Sequence, residues 1–155
     1  MKFQVRAARV EDVPELVTLM AEFYEEAGYS LPRGAAARAF RSLLDEPRQG
    51  CIWLVEVEHK PTGYIVLTLS FSMEYGGLRG FVDDFFVRPA ARGRGLGAAA
   101  LEAVKQTCHE LGVRAILVET GPEDHPARAV YARAGFKESG RMLLGQHLAP
   151  PIHES

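Results

Sequence analysis

The stretch from Val82 to Val104, VDDFFVRPAARGRGLGAAALEAV, constrains this chain more than any other, because it joins an apolar strand to an amphipathic helix through a glycine- and arginine-rich loop. Arg92, Gly93, Gly95 and Gly97 leave little side chain between the loop backbone and a ligand, so successive amide N–H groups can converge on one anion. The helix that follows contributes its unpaired first-turn donors and the positive end of its dipole. Ala98, Leu101, Val104, Cys108 and Leu111 recur at helical spacing, which predicts a helix from Gly97 to Leu111 with the glycines at its start. The segment reads as a phosphate cradle.

Three kinds of phosphate ligand compete for such a loop. A nucleoside triphosphate loop needs G-x-x-x-x-G-K-[ST], and no Lys-Ser or Lys-Thr follows these glycines. The dinucleotide fingerprint fits better, since Gly95, Gly97 and Ala100 match G-x-G-x-x-A and Glu119 lies about 20 residues on. In that fingerprint, however, the first glycine follows its strand almost directly. Here Arg88 to Arg94 intervene, with Pro89 ending the strand, and too little chain follows for a doubly wound domain.

The third candidate is a family resemblance. Val87-x-Pro89 followed by Arg92-Gly93-x-Gly95-x-Gly97 resembles the acyl-coenzyme A loop of the GNAT superfamily of N-acetyltransferases, in which R-x-x-G-x-[GA] holds the coenzyme pyrophosphate. Downstream, Asp124, Ala127, Tyr131, Gly135 and Phe136 resemble the family's N-x-x-A-x-x-x-Y-x-x-x-G-F element, with Asp in place of the usual Asn. The string Val82 to Val87, with its acidic pair before Phe-Phe-Val, is similar to the diamine and polyamine acetyltransferase branch. The resemblance implies acetyl-coenzyme A as co-substrate. It places Phe85, Phe86 and Val87 on a strand edge facing the pantetheine arm, Arg92, Gly93, Arg94, Gly95, Leu96, Gly97 and Ala98 at the pyrophosphate, and Asp124 and Ala127 beside the coenzyme. Leu117, Val118 and Glu119 would line the other side of the gap.

The rest of the chain alternates strand and helix without repeats. Phe3, Val5 and Ala7 predict a first strand; Asp12-x-x-Glu15 resembles a capping box, followed by the stripe Val13, Leu16, Val17, Met20 and Tyr24 and a stop at Gly28. A second helix is expected over Ala36 to Leu44. Ile52 to Val57 and Tyr64 to Phe71 predict a hairpin turning at His59 to Gly63, and Gly76-Gly77 turns the chain into the strand before the cradle. Arg114 to Glu119 reads as a strand, Pro126 to Ala134 as a helix, and a final strand pair is expected after Phe136. The expected class is α/β, a mixed α+β sheet in the order β-α-α-β-β-β-α-β-α-β, forming a single GNAT-like domain over residues 1–149 with a loose tail at 150–155.

The chemistry explains which polar residues are of interest. An alkyl amine is nearly all ammonium at pH 7, so exposing its lone pair costs about 4–5 kcal/mol unless the site takes up the proton. Strand alternation puts Asp83 on one face with Phe81 and Phe85, and Asp84 on the other. Asp83 is therefore the expected proton relay, Glu119 the alternative relay through water, and Asp84, with Tyr24 and Glu25 at the end of the first helix, an acceptor-binding residue. Each acid also has a plain reading as a solvated carboxylate. A strand amide near Phe85 is the expected donor to the thioester carbonyl, and Tyr131 the acid that protonates the departing sulfur. The alternative function is a catalytically degenerate coenzyme A sensor or interaction module of the same fold.

With 155 residues, the chain has the length of one domain and can bury roughly 68–70% of its unfolded surface without a disulfide. Cys51 and Cys108 read as reduced packing residues. No secretory leader or apolar run of about 20 residues is present, so the expected location is cytoplasmic, away from membranes. A net charge of -2 gives no electrostatic case for nucleic acid. The five histidines show no ligand spacing, so no metal is expected. The aromatic segment Leu69 to Tyr75 is a candidate homodimer surface.

Overall fold

The computed structural model describes residues 1–121 and 123–154. Its strands are β1 (Phe3–Ala7), β2 (Gly50–Val57), β3 (Lys60–Ser72), β4 (Gly77–Val87) and β5 (Ala115–Val118), and its helices α1 (Val13–Glu26), α2 (Arg33–Asp45), α3 (Leu96–Leu111) and α4 (His125–Arg133). The strands form one sheet in sequential order, antiparallel except for the parallel β4–β5 pair. Parallel pairing needs a crossover, and α3 supplies it. Two cores lie on the sheet's two faces. On one, Leu16, Leu19 and Met20 of α1 and Phe40 of α2 pack on Leu54, Tyr64 and Phe86; on the other, Leu96, Ala100, Leu101, Val104 and Cys108 of α3 pack on Val55, Ile65 and Val82.

Several local expectations are corrected. The β2–β3 turn is at Glu58 and His59, both with positive φ, and not at His59 to Gly63. The Pro-Thr-Gly signal marks a bulge: Val55 faces Gly63 while Glu56 faces Pro61, so Thr62 is the extra residue. Gly63 is required there, since a Cβ would lie 2.4 Å from the Phe86 carbonyl oxygen. Asp12 does not cap α1 through its side chain; its carboxylate accepts from the Arg9 amide and from the Arg6 guanidinium, which also reaches Glu56. The buried stripe of α3 begins at Leu96, leaving Ala98 and Leu111 exposed, because the helix starts one residue before Gly97.

The final strand pair does not form among the described residues. Residues 137–149 are exposed and follow no strand, and Gly140, with φ +75°, interrupts the extended run. Nor is the end of the chain loose. Ile152–Glu154 makes a short 3-10 turn that sets Ile152 against the α1–α2 core and the His153 ring 4.1 Å from that of Tyr29. Ser155 lies outside the described residues. Among the described residues no helix is long and apolar enough to cross a membrane.

Candidate active site

The site arises where the sheet opens. β5 pairs with β4 only from Arg79 to Val82, so Asp83 to Val87 keep a bare edge on the side that β5 abandons. Two adjoining recesses occupy the divergence. One, of about 360 Å³, is lined by Tyr24, Phe81, Val82, Asp83, Asp84 and Glu119. The other, of about 210 Å³, shares Val82, Asp83 and Glu119 with it and runs past Phe85 toward Asp124, Ala127 and Tyr131.

At the end of β4 the loop turns into α3. Gly93 and Gly95 have φ of +79° and +82°, a left-handed backbone that glycine adopts without strain, and a Cβ at either would meet nothing within 4 Å. The first bond of the helix runs from the Ala99 amide to the Gly95 carbonyl, so the amides of Leu96, Gly97 and Ala98 are first-turn donors free for an anion. At Gly97 a Cβ would make ordinary contacts, 3.4 Å from Phe85 and 3.5 Å from Val130, so β4, α3 and α4 meet beside the cradle. These features fit a pyrophosphate and the arm attached to it.

Arg92 does something the sequence did not suggest. Its guanidinium donates to the Val87 carbonyl at 2.8 Å and to both oxygens of Glu26 at 2.9 Å, and lies over the Phe86 ring. Arg88 likewise forks onto Glu22 of α1. These two arginines clamp the loop to the last turns of α1, leaving the backbone amides to face a ligand. Arg94 is exposed, and its guanidinium donates to the Met1 sulfur at 3.8 Å.

The acids are arranged differently from a simple alternation. Val66 faces Asp84 while Leu67 faces Val82, so Asp83 is the extra residue of a bulge in β4. Val82 and Phe85 consequently both pack on the α3 side although two residues separate them, and Asp83 and Asp84 both line the larger recess. The expectation that the pair divides between opposite faces is thereby overturned. Asp84 accepts a hydrogen bond from the Tyr64 hydroxyl at 2.8 Å. Burial pushes its carboxyl up to about 7, with Asp83 adding to the shift and the Tyr64 bond opposing it. Asp83 is solvent-accessible and is also raised, by partial burial of its head. Burial, with the charges of Asp84 and Asp83, raises the Tyr24 phenol to about 12. Glu119 stands across the recess.

Tyr131 lines the smaller recess, its ring 6.2 Å from Phe85 and 5.6 Å from Phe136. Burial and then the charge of Asp124 raise its phenol to about 12, which keeps the proton on it at neutral pH. Asp124 caps α4 by accepting from the Ala127 amide at 3.2 Å. Glu25 is exposed and lines neither recess, and Phe86 points into the core, so it can offer only backbone. Tyr64 is the polar residue that sequence reasoning missed, while Glu26, which the sequence offers with Glu25 as a cation-attracting acid at the end of the first helix, holds Arg92. Their roles depend on the β3–β4 register and on where α1 ends, and no local motif marks either. No group of His, Cys, Asp and Glu that could hold a metal occurs among the described residues, and both cysteines are free.

A sheet split beside a helix-capped anion cradle, with acids and phenols at the split, defines a coenzyme A-dependent acyltransferase type of site. The chain belongs to the acetyltransferase (GNAT) family, the class of acetyl-coenzyme A-dependent N-acetyltransferases; the family model matches residues 13–136. It is similar to the integron cassette protein HFX_CASS3 from the mobile metagenome of Cole Harbour salt marsh, with 68% identity, a TM-score of 0.91, and coverage of 97% of this chain and 94% of that one. A probable glucosamine 6-phosphate N-acetyltransferase 2 of Oryza sativa subsp. japonica is 37% identical over 51% of this chain and 45% of its own length, so the chain matches under half of that relative. The structure of AAC(6')-Iy in complex with the bisubstrate analogue CoA-S-monomethyl-acetylneamine shares the fold at 16% identity and TM-score 0.83, covering 96% of this chain and 100% of that one.

Proposed function

We propose that the protein transfers an acetyl group from acetyl-coenzyme A to a primary amine by direct attack in a ternary complex, and that the preferred acceptor carries more than one positive charge. The carrying observation is that one recess gathers Asp83, Asp84 and Glu119 with no basic residue in its lining, next to a cleft that ends at the α3 cradle. Such a lining favours polyamines and amino sugars over a phosphorylated acceptor, which three carboxylates would repel. The likeness to a fold that accommodates an acetylneamine bisubstrate supports the same reading.

In this mechanism the amides of Leu96, Gly97 and Ala98 hold the pyrophosphate and the bare β4 edge pairs with the arm. Asp84 takes a proton from the bound ammonium, since a base near 7 suits proton transfer at neutral pH, while Asp83 and Glu119 hold the acceptor's remaining charge. This moves the relay one residue from Asp83, the residue alternation suggested. The freed amine forms the C–N bond at the thioester carbonyl, whose oxygen is polarised by a strand amide near Phe85. The C–S bond then breaks, the Tyr131 proton passes to sulfur, and the second proton lost by the acceptor nitrogen restores the Tyr131 phenol through solvent, while Asp84 returns its proton to water.

Thiol release measured over a panel of monoamines, polyamines, amino sugars and phosphorylated amino sugars tests the proposal. Turnover should rank polycations first. Tight acetyl-coenzyme A binding with no amine-dependent thiol release would instead make the protein a coenzyme-binding module.

A further inference from the structure

The turn Ile152–Glu154 packs on the helix end that gives the larger recess its aromatic side. α1 stops just past Tyr24: the amides of Ala27 and Tyr29 both donate to the Tyr24 carbonyl, at 3.0 and 2.9 Å, and Gly28 carries the reversal with φ +87°. The chain thereby folds back, bringing the Tyr29 ring to 6.5 Å from the Tyr24 ring. His153 completes the group, 4.1 Å from Tyr29 and edge-to-face with Tyr24 at 5.7 Å. Phe23 meets Tyr24 edge-to-face as well, at 5.7 Å.

The turn is anchored as well as stacked. Ile152 packs on the α1–α2 core, the Glu154 amide donates to the Pro151 carbonyl at 2.9 Å, and the His153 side chain is only 17% exposed. Ordering a short segment costs conformational entropy, and these apolar and ring contacts are what offset it. Tyr24 lines the larger recess with Asp83, Asp84 and Glu119, whereas Tyr29 and His153 do not. The charges of Asp84 and Asp83 act on the Tyr24 phenol, so its ring borders the space those acids share. A ring face beside carboxylates adds attraction for a cation, and a ring already held in place loses less entropy when the cation binds.

We propose that His153 is a positioning residue of the acceptor site: with Tyr29 it locks the Tyr24 ring beside the acidic recess, and the locked ring selects acceptors that carry a second ammonium beyond the reacting amine. The inference rests on the reading of that recess as the acceptor site. His153 need not touch the substrate. Its effect reaches the acceptor through Tyr24, so it belongs to binding and not to the chemical step served by Asp84 and Tyr131.

Steady-state thiol release by the full chain, with spermidine, neamine and butylamine as acceptors, tests this. His153→Ala should raise the KM for spermidine and neamine at least about fivefold, leaving kcat, the acetyl-coenzyme A KM and the butylamine kcat/KM within about twofold of wild type. His153→Phe keeps a ring against Tyr29 and should bring the spermidine KM back near the wild-type value. Tyr29→Leu removes the other half of the lock at a position that is 49% exposed, and should give the same split should His153→Ala lose its fold by circular dichroism. In a Tyr24→Ala background, His153→Ala should change the spermidine KM by less than about twofold, because the ring through which it acts is gone. A merely structural role would instead move kcat and every KM together, and that result overturns the inference. So does a spermidine KM unchanged by His153→Ala and Tyr29→Leu, or a full effect of His153→Ala without Tyr24, and in either case a wild type active on these amines leaves the proposed acetyl transfer standing. A wild type that releases no thiol with any of the three amines overturns both.

Discussion

The Tyr64 hydroxyl donates to Asp84 Oδ2 at 2.8 Å, tying an acid of the β4 bulge to a fully buried ring in β3. The bond favours the charged carboxylate while burial disfavours it, and burial wins, leaving Asp84 near 7. The bond fixes the Asp84 carboxylate, one residue past the extra Asp83, at the acceptor recess.

This pair sets the pH dependence of the reaction. With Asp84 as proton acceptor, kcat/KM should rise with pH to a plateau above an inflection near 7. Tyr64→Phe removes the bond that stabilises the carboxylate, so the inflection should move to higher pH. Asp84→Asn should abolish the inflection with a loss of about 10²–10⁴ in turnover. The pH–rate profiles of the three proteins check this, and an unmoved inflection in Tyr64→Phe assigns the base elsewhere.

The same shift carries a sign for stability. The folded state holds the Asp84 proton more tightly than the unfolded chain, so this residue's contribution falls as pH rises from about 4 to about 7 and is level above that. Asp84→Asn should therefore raise Tm relative to wild type more at pH 8 than at pH 5, by calorimetry. Asp12 has the opposite sign. Arg6 holds its carboxyl below the usual range, so its stabilisation is present at neutral pH and is lost as pH falls below about 4. Asp12→Asn should cost about 1.5–3 kcal/mol in urea unfolding at pH 7 and progressively less in acid.

Tyr131→Phe keeps the ring against Phe85 and Phe136 and deletes only the hydroxyl. Steady-state kinetics should show kcat lowered by about 10²–10⁴ with little change in the acetyl-coenzyme A KM. A variant that keeps more than half the wild-type kcat, with chemistry rate-limiting, would return Tyr131 to the core.

Gly95→Asp places a carboxylate where the cradle receives an anion. It should abolish acetyl-coenzyme A binding by calorimetry while the domain stays folded. Gly112→Asn is the control: Gly112 has φ +74° at the other end of α3, so it bears a similar backbone penalty far from the cleft and should bind normally. Unchanged affinity in Gly95→Asp would sink the cradle.

Periodicity and punctuation determined much of this protein in advance. The helical stripes, the turn at Gly76-Gly77 and the glycines before α3 are local signals, and the cradle is local chemistry: a strand, a loop without side chains and a helix start that are contiguous in the chain. The acids were legible as candidates, but not their geometry. Alternation is a property of an undisturbed strand, and the bulge that brings Asp83 and Asp84 to one recess exists only through the pairing of Val66 and Leu67 with β4. In the same way, Pro-Thr-Gly looked like a turn because a turn and a bulge relieve the same backbone constraint, and only the β2–β3 register separates them. Tyr64 and Glu26 are distant in sequence from the groups they hold, so nothing near them announces the Asp84 bond or the Arg92 clamp. Residues 137–149 show the same limit. A run such as Met142 to Leu144 predicts a strand, but a strand needs an edge, and which edge it meets is decided by tertiary packing and not by the run itself.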